Sequence, residues 1–142
     1  MSSKTIVLAY DGSEGSEKAL AWAVKYAQEN VAVTHIISVY EPIMAASLEP
    51  TFNVGQLDQE RRAHLEMSAA AAKTIFTNHH LEAKVILFDG HPADEILKYA
   101  KKIHPDLIVC GTRGHGNFSA IFLGSVAHKL VTYASAPVLV IK

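Results

Sequence analysis

The chain has 142 residues, enough for one domain that buries roughly two-thirds of the surface its unfolded form exposes. A formal net charge of -1 excludes a global electrostatic pull toward nucleic acid or an anionic membrane, so any anion site must be local. A single cysteine, Cys110, cannot build a disulfide framework, and no apolar run approaches the roughly 18 residues needed to span a bilayer. Met1 to Lys4 lead straight into a strand pattern, and a soluble cytoplasmic protein is expected.

Thr5 to Tyr10 (TIVLAY) is a short, β-branched apolar run that the turn residues Asp11, Gly12 and Ser13 bring to an end. Ser13 can cap a helix with Glu14 and Glu17 in its first turn and an inner stripe of Leu20, Ala23, Val24 and Ala27. Trp22 falls off that stripe and reads as flank packing. Val33 to Tyr40 is the second strand, stopped by Glu41 and Pro42. Ile43 to Gln56 has no clear periodicity, and a connection of that length suggests a lid or a mobile segment. A long helix is predicted from about Leu57 to Asn78, with Leu65, Ala69, Ala72, Ile75 and Phe76 inside and Glu60, Arg61, Arg62, Glu66 and Lys73 outside. Lys84 to Phe88 is the third strand, and a helix on Ile96, Leu97 and Ala100 follows, ended by His104 and Pro105. Asp106 to Cys110 is the fourth strand. After it comes Gly111 to Val126 (GTRGHGNFSAIFLGSV), then a helix on Val126, Ala127, Leu130, Val131 and Ala134, and a fifth strand at Pro137 to Ile141.

Strands without polar alternation, separated by helices, predict an α/β fold: one doubly wound, five-stranded parallel sheet with helices on both faces, with residues 1-142 forming a single domain. In such sheets the ligand crevice opens at the carboxyl ends of the strands where the winding reverses. With strand order 3-2-1-4-5 that crevice lies between Asp11 and Gly111.

The loop from Gly111 to Ser125 has the chemistry of a phosphate site. Glycines expose main-chain N–H groups, and a following helix start adds partial positive charge. From Leu107 to Lys142 there is no Asp or Glu, which leaves the local charge to Arg113, His115 and Lys129. The loop lacks Gly-x-x-x-x-Gly-Lys, so it is not a P-loop, and Gly114-His115-Gly116 begins like a dinucleotide fingerprint without completing one. Asp11 is the natural acceptor for a nucleotide hydroxyl or exocyclic amine; the alternative is that it only shapes the turn with Gly12. Ser125 is expected to cap its helix and to donate its hydroxyl to a phosphate. Cys110 reads as core. No histidine pair has a convincing metal-ligand spacing.

Gly111-x2-Gly114-x9-Gly124-Ser125 resembles the nucleotide motif of the universal stress protein family, and Tyr10-Asp11-Gly12-Ser13 and Pro137 to Ile141 resemble that family's two ends. The resemblance covers essentially the whole length. It implies a homodimer joined through the last strand, Pro137 to Ile141, and bound ATP. Carried over by position, it places Asp11 and the main chain at Val39 against the adenosine, Gly111 by the ribose, and Gly114, Gly124, Ser125 and Val126 at the phosphates. Relatives often carry a cation near positions 119 and 120, where this protein has Ser119 and Ala120, so ADP or AMP competes with ATP, with or without magnesium. The expected function is that of a nucleotide-dependent regulatory switch in stress response, with no nucleic-acid or membrane partner and at most slow ATP hydrolysis. Two other readings stand beside it: an ATP-using enzyme of the nucleotidyl-transfer or ATP-pyrophosphatase architecture, and a structural dimer that binds no nucleotide.

Overall fold

The computed structural model describes residues 3–43, 53–113 and 123–142. Of the connection anticipated from Ile43 to Gln56, residues 44–52 lie outside the described residues, as do the loop residues Gly114 and His115. Nine elements alternate along the sequence: β1 (Lys4–Ala9), α1 (Glu14–Asn30), β2 (Ala32–Tyr40), α2 (Val54–Asn78), β3 (Ala83–Asp89), α3 (Pro92–Ile103), β4 (Leu107–Gly111), α4 (Ser125–Tyr133) and β5 (Val138–Ile141). The strands form one parallel sheet in the order β3-β2-β1-β4-β5, as the sequence predicts.

Successive strand residues point to opposite faces, and the two cores follow that alternation. Ile6, Leu8, Ile36 and Val109 pack under α1 and α2, against Leu20, Ala23, Ala72 and Phe76. Val7, Ile37, Ile108 and Cys110 pack under α3 and α4, against Ile96, Ala100, Ala127 and Leu130. α1 and α4, which leave or follow the neighbouring strands β1 and β4, therefore lie on opposite faces.

The helix signals act as predicted at Ser13, whose side chain accepts the Ser16 N–H at 3.3 Å, and at His104, which closes α3 in the left-handed conformation with φ 49°. Three expectations are corrected. α2 begins at Val54, three residues early, because Asn53 supplies a cap the pattern hid: its Oδ1 accepts the Gln56 N–H at 3.0 Å. Ile75 and Val131 are exposed at 39% and 51%, not inner residues. Ile75 lies about 100° round α2 from its buried neighbour Phe76. α4 sits toward the β5 edge of the sheet, so its buried stripe narrows to Ala127 and Leu130. Ser125 is not the cap of α4; Gly124 is, with φ -63° and ψ 160°, and Ser125 is the first helical residue. No helix among the described residues is long and apolar enough to cross a membrane.

Candidate functional site

At the carboxyl ends of the strands, β1 turns toward one face and β4 toward the other, and a cleft of about 610 Å³ opens between them. That size suits a small-molecule ligand, for which about 300–1,000 Å³ is usual. Asp11, Val39, Gly111, Arg113, Gly124, Ser125 and Val126 all line it, so every predicted site residue that is described falls in one place.

The β1 side is built by a tight turn. Gly12 takes φ 82°, a left-handed conformation that suits glycine, and Asp11 Oδ1 accepts the Ser13 N–H at 2.9 Å. Asp11 thus shapes the turn and also lines the cleft; the two readings of this residue are not exclusive.

On the β4 side, space is the controlling quantity. A Cβ at Gly111 would lie 2.7 Å from both the carbonyl carbon and the carbonyl oxygen of Gly15, and one at Gly15 would lie 2.5 Å from the Arg113 carbonyl oxygen. Backbone therefore rests on backbone where α1 starts beside the end of β4. Gly124 donates its N–H to Thr112 O at 2.6 Å, so that amide is already committed. The first main-chain N–H groups inside α4, those of Ser125 and Val126, lack partners within their own helix by geometry, and no acidic residue occupies that first turn.

Between these walls β2 outruns β1. Ala9 pairs with Ile37, and the last cross-strand bond is Tyr10 N–H to Ile37 O at 3.0 Å. Along a parallel strand the peptide groups face the two neighbours alternately. Tyr40 O faces β3, accepting from Gly90 N–H at 2.9 Å, so the Val39 N–H and C=O face the β1 side, beyond β1's end. Among the described residues no main-chain bond meets them, although Val39 is buried. Buried peptide groups without partners are rare, and this one looks into the cleft.

Further wall residues escape the sequence pattern. The α2 stripe Leu57, Arg61, His64 and Leu65 lines the cleft, and Arg61 does so while exposed, as the pattern predicts. The spacing i, i+4, i+7, i+8 was available as a signal, but Arg61 and His64 resemble solvent-facing polar positions. Cys110 is also in the wall; burial pushes its thiol up to about 11, which makes it a packing residue rather than a nucleophile.

The cleft mouth is held by a small polar network. Tyr40 Oη donates to Asp58 Oδ1 at 2.6 Å, and the same oxygen accepts the Ile43 N–H at 3.0 Å. Arg62 lies over the Tyr40 ring at 5.5 Å and donates through Nε to Asp89 Oδ1 at 3.1 Å. α2 is thereby tied to the ends of β2 and β3. The Tyr40 hydrogen bond first, then that from Ile43, holds the Asp58 carboxyl below its ordinary range. A carboxyl whose folded pKa is depressed contributes its stabilisation above the unfolded value, about 3.9, and loses it as pH falls through the folded one. The Ile43 amide proton shift is expected to titrate below about pH 3.9 and to show no such step in Asp58→Asn, as read by NMR.

Comparison with known proteins agrees with this architecture. The family model described as the universal stress protein family matches residues 2–142. The chain belongs to that family. A universal stress protein of Thermus aquaticus is 37% identical over 139 residues, covering 98% of each protein. Among solved universal stress proteins, one from Lactobacillus plantarum superposes with a TM-score of 0.85 at 23% identity, over 100% of this protein and 99% of the other. One from Archaeoglobus fulgidus, solved in complex with dAMP, superposes with a TM-score of 0.67 at 22% identity, over 99% and 98% of the two.

Proposed function

We propose that this universal stress protein binds an adenine nucleotide in the β1/β4 cleft and acts as a nucleotide-responsive regulator rather than as an enzyme. The observation that carries the reading is the Val39 N–H and C=O, which no main-chain group among the described residues meets, inside a cleft whose other wall is the start of α4. A peptide N–H beside its C=O is complementary to adenine, which offers an acceptor at N1 and a donor at N6. Guanine presents the reverse pair and would meet donor with donor. Ile37, Ile96 and Ala127 supply apolar walls for the base, and Asp11 an acceptor for ribose hydroxyls. At the other end the Ser125 and Val126 N–H groups and the Ser125 hydroxyl receive phosphate, with Arg113, Gly114 and His115 completing the loop. Gly124's part is close approach, since its own amide is spent on Thr112. The dAMP complex of the Archaeoglobus relative supports a monophosphate as sufficient for binding in this fold. AMP and ADP therefore compete with ATP here, and magnesium is not required for the grip of the main chain.

The proposed homodimer forms through β5. The sheet has two edges, β3 and β5. β3 carries Lys84 and Asp89, charges that guard an edge, whereas β5 reads VLVI without any. A partner copy is the economical cover for such a strand.

The test is to denature freshly purified protein and identify released nucleotide by mass, then to follow melting with AMP, ATP and GTP. Adenine nucleotides at about 100 times their Kd are expected to stabilise by about 2.7 kcal/mol, with GTP inert. A preparation without nucleotide that no adenylate stabilises would leave a structural domain instead. Sedimentation at 15.4 kDa at micromolar concentration would remove the dimer.

A further inference from the structure

The ladder between β1 and β2 ends one rung earlier than its register allows. The next bond would run from Val39 N–H to the Tyr10 carbonyl, and it is not made. Ser38 Oγ donates to that carbonyl instead, at 2.7 Å. Ser38 is fully buried, in a strand otherwise filled at this level by Ile36, Ile37 and Val39. A hydroxyl there has no packing advantage over a methyl group and carries the cost of removing it from water.

We infer that Ser38 is the positioning residue for base recognition: its hydroxyl satisfies the Tyr10 carbonyl and so lets β1 and β2 part with the Val39 donor and acceptor left for the ligand. Without that hydroxyl the buried Tyr10 carbonyl has one available substitute, the Val39 N–H on the facing strand, because buried carbonyls seek partners. Closing that rung consumes the donor that reads adenine N1. Turning into Asp11 and Gly12 then separates the strands beyond it, which explains why the opening is one peptide wide. The half of this inference that concerns nucleotide selectivity rests on the function proposed above; the half that concerns the ladder does not.

The experiment uses the full-length protein and two readouts. In the free wild-type protein the Val39 amide is expected to exchange with solvent deuterium at least tenfold faster than the Ile37 amide, and to gain protection with AMP. In Ser38→Ala the Val39 amide becomes protected without ligand, and the preference for AMP over 1-deazaadenosine monophosphate, which lacks the N1 acceptor, falls by about tenfold. Ser38→Thr, which keeps the hydroxyl, retains the wild-type pattern in both. Ser38→Cys, close in volume and a weak donor, takes the place of the alanine variant if that one does not fold. Val39 already protected in the free wild type, or unchanged exchange and selectivity in the variants, overturns the inference. Exchange that shifts in Ser38→Ala while no nucleotide binds the wild type upholds the role of Ser38 in the ladder and defeats the proposed ligand alone.

Discussion

Gly111→Ala is expected to destabilise the protein by about 3 kcal/mol, near the upper end of the usual cost of overpacking, and to abolish nucleotide binding. Neither glycine in that contact has an unusual backbone conformation; among the described glycines the positive φ values belong to Gly12 and Gly90. What forbids a side chain is distance. The added Cβ at Gly111 would stand 2.7 Å from the carbonyl carbon and oxygen of Gly15, and backbone at the start of a helix cannot rotate aside as a side-chain tip can. Relief comes only by moving α1 away from β4. Since Asp11 leads into α1 and Thr112 and Arg113 follow β4, that movement widens the cleft between its two halves. Gly15→Ala should act likewise, because its Cβ meets the Arg113 carbonyl at 2.5 Å. Gly55 is the internal control: among the described residues, its Cβ would meet only Asn53 Oδ1 within 4 Å, at 3.7 Å, and Gly55→Ala in α2 should stabilise by about 0.5–1 kcal/mol. Urea denaturation of the three variants gives the order. A Gly111→Ala protein within about 0.5 kcal/mol of wild type would mean that α1 and β4 are not in rigid contact.

Why the sequence revealed Gly111 and not Gly15 is instructive. Gly111, Gly124 and Ser125 sit in a spaced motif, and an acid-free stretch surrounds them, so local pattern and charge agree. Gly15 stands alone in a first helical turn and looks like an ordinary helix start. Its reason is a contact with residues almost a hundred positions away, which no local pattern records. The same division runs through the fold. β-branched runs and turn residues at the strand ends marked the five strands, and right-handed crossovers leave few topologies, among them the observed order 3-2-1-4-5. The inner faces of α2 and α4 were legible only in part. Periodicity marks which residues are apolar, while Ile75 and Val131 are exposed because the neighbouring layer is narrower than the apolar stripe. At Ser125 a good capping residue stood next to a glycine that could also serve, and the backbone took the glycine. The role of Ser38 was hidden for a different reason. A serine in an apolar strand carries no direction in sequence, and only the register shows that its hydroxyl meets the Tyr10 carbonyl.

Asp11 offers the sharpest separation of scaffold from recognition, since its carboxylate has a turn to hold and a cleft to line. Asp11→Asn is nearly isosteric, and its amide oxygen can still accept the Ser13 N–H that Asp11 Oδ1 accepts at 2.9 Å. The turn should survive, with stability within about 0.5 kcal/mol of wild type. A hydrogen bond from a ribose hydroxyl to a carboxylate is worth about 1.5–3 kcal/mol and one to a neutral amide about half that, so AMP affinity should drop about tenfold. Asp11→Ala removes both functions. It leaves the Ser13 N–H without its acceptor at the entry to α1, costing about 1 kcal/mol of stability, and lowers AMP affinity by about a hundredfold. Calorimetric titration set beside urea denaturation separates the terms: the asparagine variant should move affinity without stability, the alanine variant both. If Asp11→Ala bound AMP like wild type while unfolding more easily, the carboxylate would be a turn residue only, and the acceptor for the sugar would have to be sought among Glu41 and Glu60 on the same cleft wall.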